Sequence, residues 1–170
     1  MEYRLLGWPA DGPTLDLDHR QFRYAGKFVM SSTGKLVAED GGTIVGATAF
    51  DEDRTDPTVL RIRYVTVSED RRGNGIGTEL LVRTRDAALD RGYETVRIAV
   101  NNPFAYEAAY RAGFGFTGES TGIAELVLDA PRPAADRYRD GLEAFATRDL
   151  DISTTEERFI ERQLESGPPE

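Results

Sequence analysis

The 170-residue sequence predicts an α/β domain with some parallel strand pairing, followed by a C-terminal helical extension. Three observations predict it. Strand-like and helix-like runs alternate from "TVLRIRYVTV" (58–67) to "FGFTGESTGIAELVLDA" (114–130), which implies some parallel pairing. Upstream, "KLVAEDGGTIVGATAF" (35–50) reads as an antiparallel hairpin turning at Gly41-Gly42. Between the central strand and its following helix lies "RRGNGIG" (71–77), three glycines in seven residues.

Each element has its own signal. Residues 1–14 are punctuated by Gly and Pro and hold one short strand at Tyr3–Leu6. "DLDHRQFRYAGKF" (16–28) reads as a short helix ending near Gly26. "DEDRTDP" (51–57) is a polar loop. The β-branched and aromatic content of 58–67 makes it a strand. A helix is expected from Thr78, because Leu80, Leu81, Thr84, Ala87 and Ala88 share one face and Gly92 supplies the stop. "YETVRIAV" (93–100) is the next strand. In "NNPFAYEAAYRAG" (101–113), Asn102 is an N-cap, Pro103 takes the first helical position and Gly113 ends the helix. Residues 114–130 form two short strands around a Gly-containing turn. After "PRPAAD" come two charged helical patterns at 136–150 and 153–166, the second opening like a capping box. "GPPE" is a frayed end. The expected division is therefore 1–130 as the main domain and 131–170 as linker and helical extension.

Composition narrows the partners. Net charge is −9 and the pI about 4.7, so nucleic acid is a poor partner. Acidity either serves solubility alone or attracts a cationic small molecule or basic peptide. Nineteen arginines stand beside two lysines, Lys27 and Lys35. That balance suits a salt-loving archaeal source, and equally a GC-rich genome. The absence of cysteine and the single His19 argue against thiolate or histidine metal sites. No apolar run of about 18 residues suggests a membrane span. No signal peptide is recognised, so the expected compartment is cytoplasmic.

A glycine loop before a helix frees backbone amides at the positive end of the helix dipole, which suits an anion, most often a phosphate. The nucleotide P-loop pattern fails for want of its lysine. The dinucleotide pattern G-x-G-x-x-G fails because Gly73, Gly75 and Gly77 are spaced G-x-G-x-G. A turn without a ligand remains the plain reading of the glycines alone.

The surrounding residues resemble the GNAT superfamily of N-acetyltransferases. Arg72-Gly73-Asn74-Gly75-Ile76-Gly77 matches that family's [Q/R]-x-x-G-x-[G/A] signature. "NPFAYEAAYRAGF" supplies a second motif through Asn102, Ala105, Gly113 and Phe114. The resemblance covers about 36–129. It implies an α/β GNAT fold, a mixed central sheet with helices on both faces and a splay between the fourth and fifth strands, and acetyl-CoA as co-substrate without a metal. Backbone amides from Arg72 to Gly77 would hold the diphosphate, with Thr78 adding a hydroxyl and Arg71 or Arg72 adding charge. Main chain near Val65 and Val67 would pair with the pantetheine arm, and the Val67 region would supply an oxyanion donor. Asn102 would reach the cofactor or act only as a cap.

The implied reaction is direct attack by a primary amine, of a small molecule or a protein, on the acetyl thioester. At the position of the family's usual general acid the chain has Ala109. Tyr110 and Tyr106 flank it and are the candidate acids, with aromatic packing as the plainer role for each. Asp51, Glu52, Asp53, Glu125 and His19 are candidate bases, each equally a surface group. Phe22, Tyr24 and Phe28 form an acceptor wall or core packing. The C-terminal helices cap the acceptor site, make a homodimer contact or stand solvated. The rival to an enzyme is a non-catalytic acyl-CoA-binding or sensing module.

Overall fold

The computed structural model describes residues 1–9, 11–122, 125–147 and 152–169. In chain order the elements are β1 (Glu2–Gly7), β2 (Gly34–Asp40), β3 (Thr43–Glu52), β4 (Val59–Val67), α1 (Ile76–Arg91), β5 (Thr95–Val100), α2 (Pro103–Arg111), β6 (Gly115–Thr121), β7 (Glu125–Ala130), α3 (Tyr138–Thr147) and α4 (Thr154–Ser166). Seven strands form one mixed sheet in the order β1-β2-β3-β4-β5-β7-β6, with β4 and β5 parallel. The chain divides into two compact units, Met1–Val96 and Arg97–Glu170, with the boundary inside β5.

In the first unit, β1 to β4 run antiparallel, each to the next. The predicted hairpin is present. Gly41 and Gly42 take φ of +59° and +84°, the positive values that a two-residue hairpin turn with matching twist requires. Side chains alternate along β3 as strand geometry dictates. Ala47 and Ala49 join Leu15, Phe28 and Val37 in the core, whereas Thr48 bonds Thr84 of α1, Oγ1 to Oγ1, at 2.8 Å. β4 carries a bulge: Ala49 pairs with Tyr64 but Phe50 pairs with Ile62, leaving Arg63 extra. Bulges bend a strand and re-aim its side chains.

The predicted helix over 16–28 is not there, and only a 3-10 turn at Ala25–Lys27 forms. One turn does start before it: the Asp18 side chain accepts the Arg20 N–H at 2.9 Å as an N-cap does, and the Asp18 carbonyl accepts the N–H groups of Gln21 and Phe22 in helical fashion. Tyr24 then adopts φ 62°, a left-handed conformation that interrupts any right-handed helix. The segment is held instead by burial of Leu15, Phe22 and Phe28 and by backbone bonds such as Leu15 N–H to Phe28 O at 2.8 Å. Lys35, wholly buried, anchors its far end by donating to Met30 O, Thr33 O and Thr33 Oγ1 at 2.7–2.9 Å. Burial lowers its pKa.

In the second unit, β6 and β7 form the predicted antiparallel pair. Residues 123 and 124 of the expected turn lie outside the described residues. Arg97 of β5 grips Asp129 of β7 with two bonds of 2.8 and 3.0 Å. α2 starts as expected, with Asn102 Oδ1 accepting the Ala105 N–H at 2.9 Å and Pro103 at the first position. α4 opens with the predicted capping box between Ser153 and Glu156. Of the predicted helix at 136–150, residues 138–147 form α3, and 148–150 lie outside the described residues. The C-terminal helices are not a solvated appendage. Tyr138, Leu142, Phe145 and Ile160 are buried, and Tyr106 of α2 stacks on Tyr138 with centroids 5.0 Å apart.

Candidate functional site

β4 delivers the chain to the glycine loop through a short, well-tied turn. The Ser68 N–H donates to Val45 O at 2.8 Å and Ser68 Oγ to Asp70 at 2.6 Å. Arg71 pairs with Asp40 at 2.7 Å, and that bond holds the Asp40 carboxyl below its ordinary range. Arg72 Nε donates to Val67 O at 3.2 Å, and Asn74 Nδ2 to Arg71 O at 3.0 Å. The loop is thus fixed by side chains at its base while its tip is bare.

At the tip, Gly73 and Gly75 have φ of +83° and +79°. A Cβ added at either would meet no atom within 4 Å, so backbone conformation, not crowding, demands glycine there. α1 begins at Ile76, two residues before the expected Thr78, because Gly75 already occupies the N-cap position. No side chain caps it. The caps at α2 and α4, from Asn102 and Ser153, make the contrast plain. The first-turn amides of Ile76, Gly77 and Thr78 therefore face outward with the dipole's positive end. Glu79 N–H closes the first helical bond to Gly75 O at 3.0 Å.

On β4, Val65 and Val67 are half-buried and pair with Thr48 and Gly46 of β3. Thr66, between them, points to the opposite face, which the 15–28 segment covers. Its Oγ1 is buried without a hydrogen-bond partner, a rare state for a native hydroxyl. Nothing in the sequence signals it.

The candidate residues of the second unit have defined partners. Asn102 is a genuine cap, and its Nδ2 donates to Asn101 Oδ1. Tyr106 is fully buried, and its hydroxyl contacts Tyr138 O at 2.8 Å and Arg137 O at 3.3 Å. Burial first, then neighbouring Tyr138 and Asp136, push its pKa far up. Tyr110 donates to Asp136 Oδ2 at 3.1 Å, and the Arg132 guanidinium lies 3.7 Å over its ring. Burial and the Asp136 bond raise its pKa, while Arg132 opposes them.

The candidate bases are mostly engaged. Asp51 pairs with Arg63 at 2.5 Å. Asp53 pairs with Arg61 at 2.6 Å, and that bond, with those from Thr55, holds its carboxyl far below its ordinary range. Glu52 accepts from Tyr93 and Glu125 from Thr121. His19 is exposed and lines a pocket with Arg20, Gln21, Phe22, Arg23, Glu69 and Arg72. That pocket was missed from sequence, although "HRQFR" is a basic cluster with no acidic residue on its C-terminal side until Glu39. Among the described residues, no group of three or more His, Cys, Asp or Glu side chains is placed to hold a metal ion, and no helix is long and apolar enough to cross a membrane.

Solved structures share this fold at low identity. An N-acetyltransferase from Staphylococcus aureus Mu50 superposes with a TM-score of 0.50 at 20% identity, covering 57% of this chain and 66% of that one. A Bacillus subtilis acetyltransferase in complex with CoA gives 0.50 at 18%, covering 57% and 75%. A GNAT superfamily phosphinothricin acetyltransferase from Sinorhizobium meliloti in complex with AcCoA gives 0.51 at 17%, covering 57% and 60%. No curated protein matches the chain. The family model described as "Acetyltransferase (GNAT) family" matches residues 2–116. With the bare loop, the uncapped helix and the mixed sheet around them, that match makes the chain a member of the GNAT acetyltransferase family.

Proposed function

We propose that the protein is an N-acetyltransferase that moves an acetyl group from acetyl-CoA to a primary amine of a small molecule or protein. The observation that carries this reading is the 16-residue helix α1 left without a side-chain cap behind two positive-φ glycines. A diphosphate fits such a cradle: it accepts from several amides at once and gains from the helix dipole. Arg72, Gly73, Asn74, Gly75, Ile76, Gly77 and Thr78 would hold it. Main chain at Val65 and Val67 would take the amide-bearing arm, and Asn102 would support the cofactor beyond its capping role. Bound acetyl-CoA supplies the activated acyl thioester. Residues 1–130 would be the acyltransferase domain and 131–170 its helical extension. The acidic, arginine-rich composition supports a cationic acceptor and a salt-adapted cytoplasmic setting.

Of the two tyrosines, Tyr110 is the better proton holder. Arg132 over its ring would stabilise a phenolate, whereas every charged neighbour acting on Tyr106 opposes one. Tyr110→Phe is expected to lower kcat at least about tenfold with the Kd for CoA unchanged, in the range of general-acid effects. Tyr106→Phe should leave kcat intact and lower the melting temperature. Equal kcat in wild type and both variants would remove tyrosine from the reaction.

A second reading, a non-catalytic acyl-CoA-binding module, is favoured by one fact: both hydroxyls near Ala109 already have protein partners. Free-thiol release on mixing the protein, acetyl-CoA and an amine panel separates the two. Release above the blank supports transfer. Saturable CoA binding that raises the melting temperature, without release, supports the binding module.

A further inference from the structure

We propose that the pocket formed by His19, Arg20, Gln21, Phe22, Arg23, Glu69 and Arg72 is an oxyanion site that holds a phosphate or carboxylate group of a substrate, separately from the loop amides. This deepens the acetyltransferase reading by naming a charge that one of its substrates carries.

The pocket has about 220 Å³. That is below the roughly 300–1,000 Å³ of sites that enclose a whole small molecule, so it suits one charged end of a longer one. Its walls are anchored. Phe22 is buried in the core, and the Glu69 N–H donates to Gln21 O at 2.9 Å, tying the 19–23 segment to the turn that follows β4. Two backbone bonds to Asp18 O fix the turn itself.

Its charge inverts that of the chain. Three arginines and a histidine line it beside one glutamate, in a protein of net charge −9. Arg20 is matched by Asp18 at 3.1 Å. Arg23 has no hydrogen-bond or ion-pair partner among the described residues, and Arg72 spends only Nε, on Val67 O. By contrast, Arg61, Arg63, Arg71 and Arg97 each hold a carboxylate. Two exposed guanidiniums with no carboxylate bonded to them, on residues that line one small pocket, are forks suited to a phosphate or carboxylate. Two sources fit that chemistry: an acceptor amine that also bears an anionic group, or a phosphate on the nucleotide end of CoA.

His19 is the only histidine, so its imidazole NMR signals need no assignment. Titration with inorganic phosphate should shift them saturably, beyond what chloride does at equal ionic strength, and Arg23→Gln should weaken the apparent affinity about tenfold. A shift no larger than that from chloride, or one unchanged in Arg23→Gln, overturns the site. Two further arms identify the source. If it is the cofactor, Arg23→Gln weakens CoA but not dephospho-CoA. If it is the acceptor, Arg23→Gln raises KM for carboxylate- or phosphate-bearing amines and leaves neutral ones unchanged. Phosphate binding with neither arm responding overturns the assignment to a substrate. Because the phosphate titration needs no acetyl transfer, the pocket can stand while the acetyltransferase reading fails, and the reverse.

Discussion

Gly75→Asp is expected to weaken CoA binding at least about 100-fold, or about 2.8 kcal/mol, while the protein stays folded. The position is the N-cap of α1, at φ +79° with open space where a side chain would go. Steric exclusion by packing therefore plays no part in the native need for glycine. A non-glycine residue in this left-handed conformation costs about 1–2 kcal/mol of stability, and Asp and Asn sit at the mild end of that range. The added carboxylate competes for the first-turn amides and repels a diphosphate at the place where the helix dipole should attract it. Gly75→Asn is the control, with the same shape and backbone strain but no charge. Calorimetry should find the aspartate variant far weaker than the asparagine variant, with melting temperatures within a few degrees of each other. Equal CoA affinity in wild type and Gly75→Asp would remove the loop from cofactor binding.

The loop was legible because its signal is local. Glycines with positive φ, a strand before and an amphipathic run after can be read residue by residue, as can the Asn102 and Ser153 caps. The start of α1 was misjudged by two residues because a glycine N-cap leaves no capping side chain to recognise. The 16–28 segment misled for the opposite reason. Its composition permits a helix and one turn forms after Asp18, but Tyr24 turns left-handed and stops it. The tyrosines needed long-range packing. Nothing within residues 101–113 states that Tyr106 ends against α3, 31 and 32 residues on, or that Asp136 and Arg132 enclose Tyr110. The pocket around Arg23 required Gln21 to meet Glu69, a contact across 48 residues that no period or motif announces.

Gly141→Ala should lower stability by about 2 kcal/mol, which for a chain of this size is a fall in melting temperature of about 4–8 °C. Two effects oppose each other. Alanine is the better helix former by about 1 kcal/mol in the interior of α3. Against that, its methyl would overlap the hydroxyl and adjoining ring atoms of Tyr106, which is fully buried. The ring cannot step aside freely. Tyr138 stacks on it at 5.0 Å, and Phe145 and Phe116 meet it edge-on at 5.6 and 6.5 Å. Overpacking of this kind costs about 1–3 kcal/mol, and the fixed ring puts it at the upper end, so the steric effect prevails. Tyr106→Phe alone should cost about 1 kcal/mol through the lost bond to Tyr138 O. In the double variant the closest clashing atom is gone while the ring remains, so Gly141→Ala should cost less on the phenylalanine background than on the tyrosine one. Thermal melts of the four proteins of this cycle measure that coupling. A rise in melting temperature for Gly141→Ala would mean that helix propensity wins and that Tyr106 is loosely held. The bare glycine of α3 and the hydroxyl of α2 would then no longer explain each other, and Tyr106 would be free to take part in proton transfer.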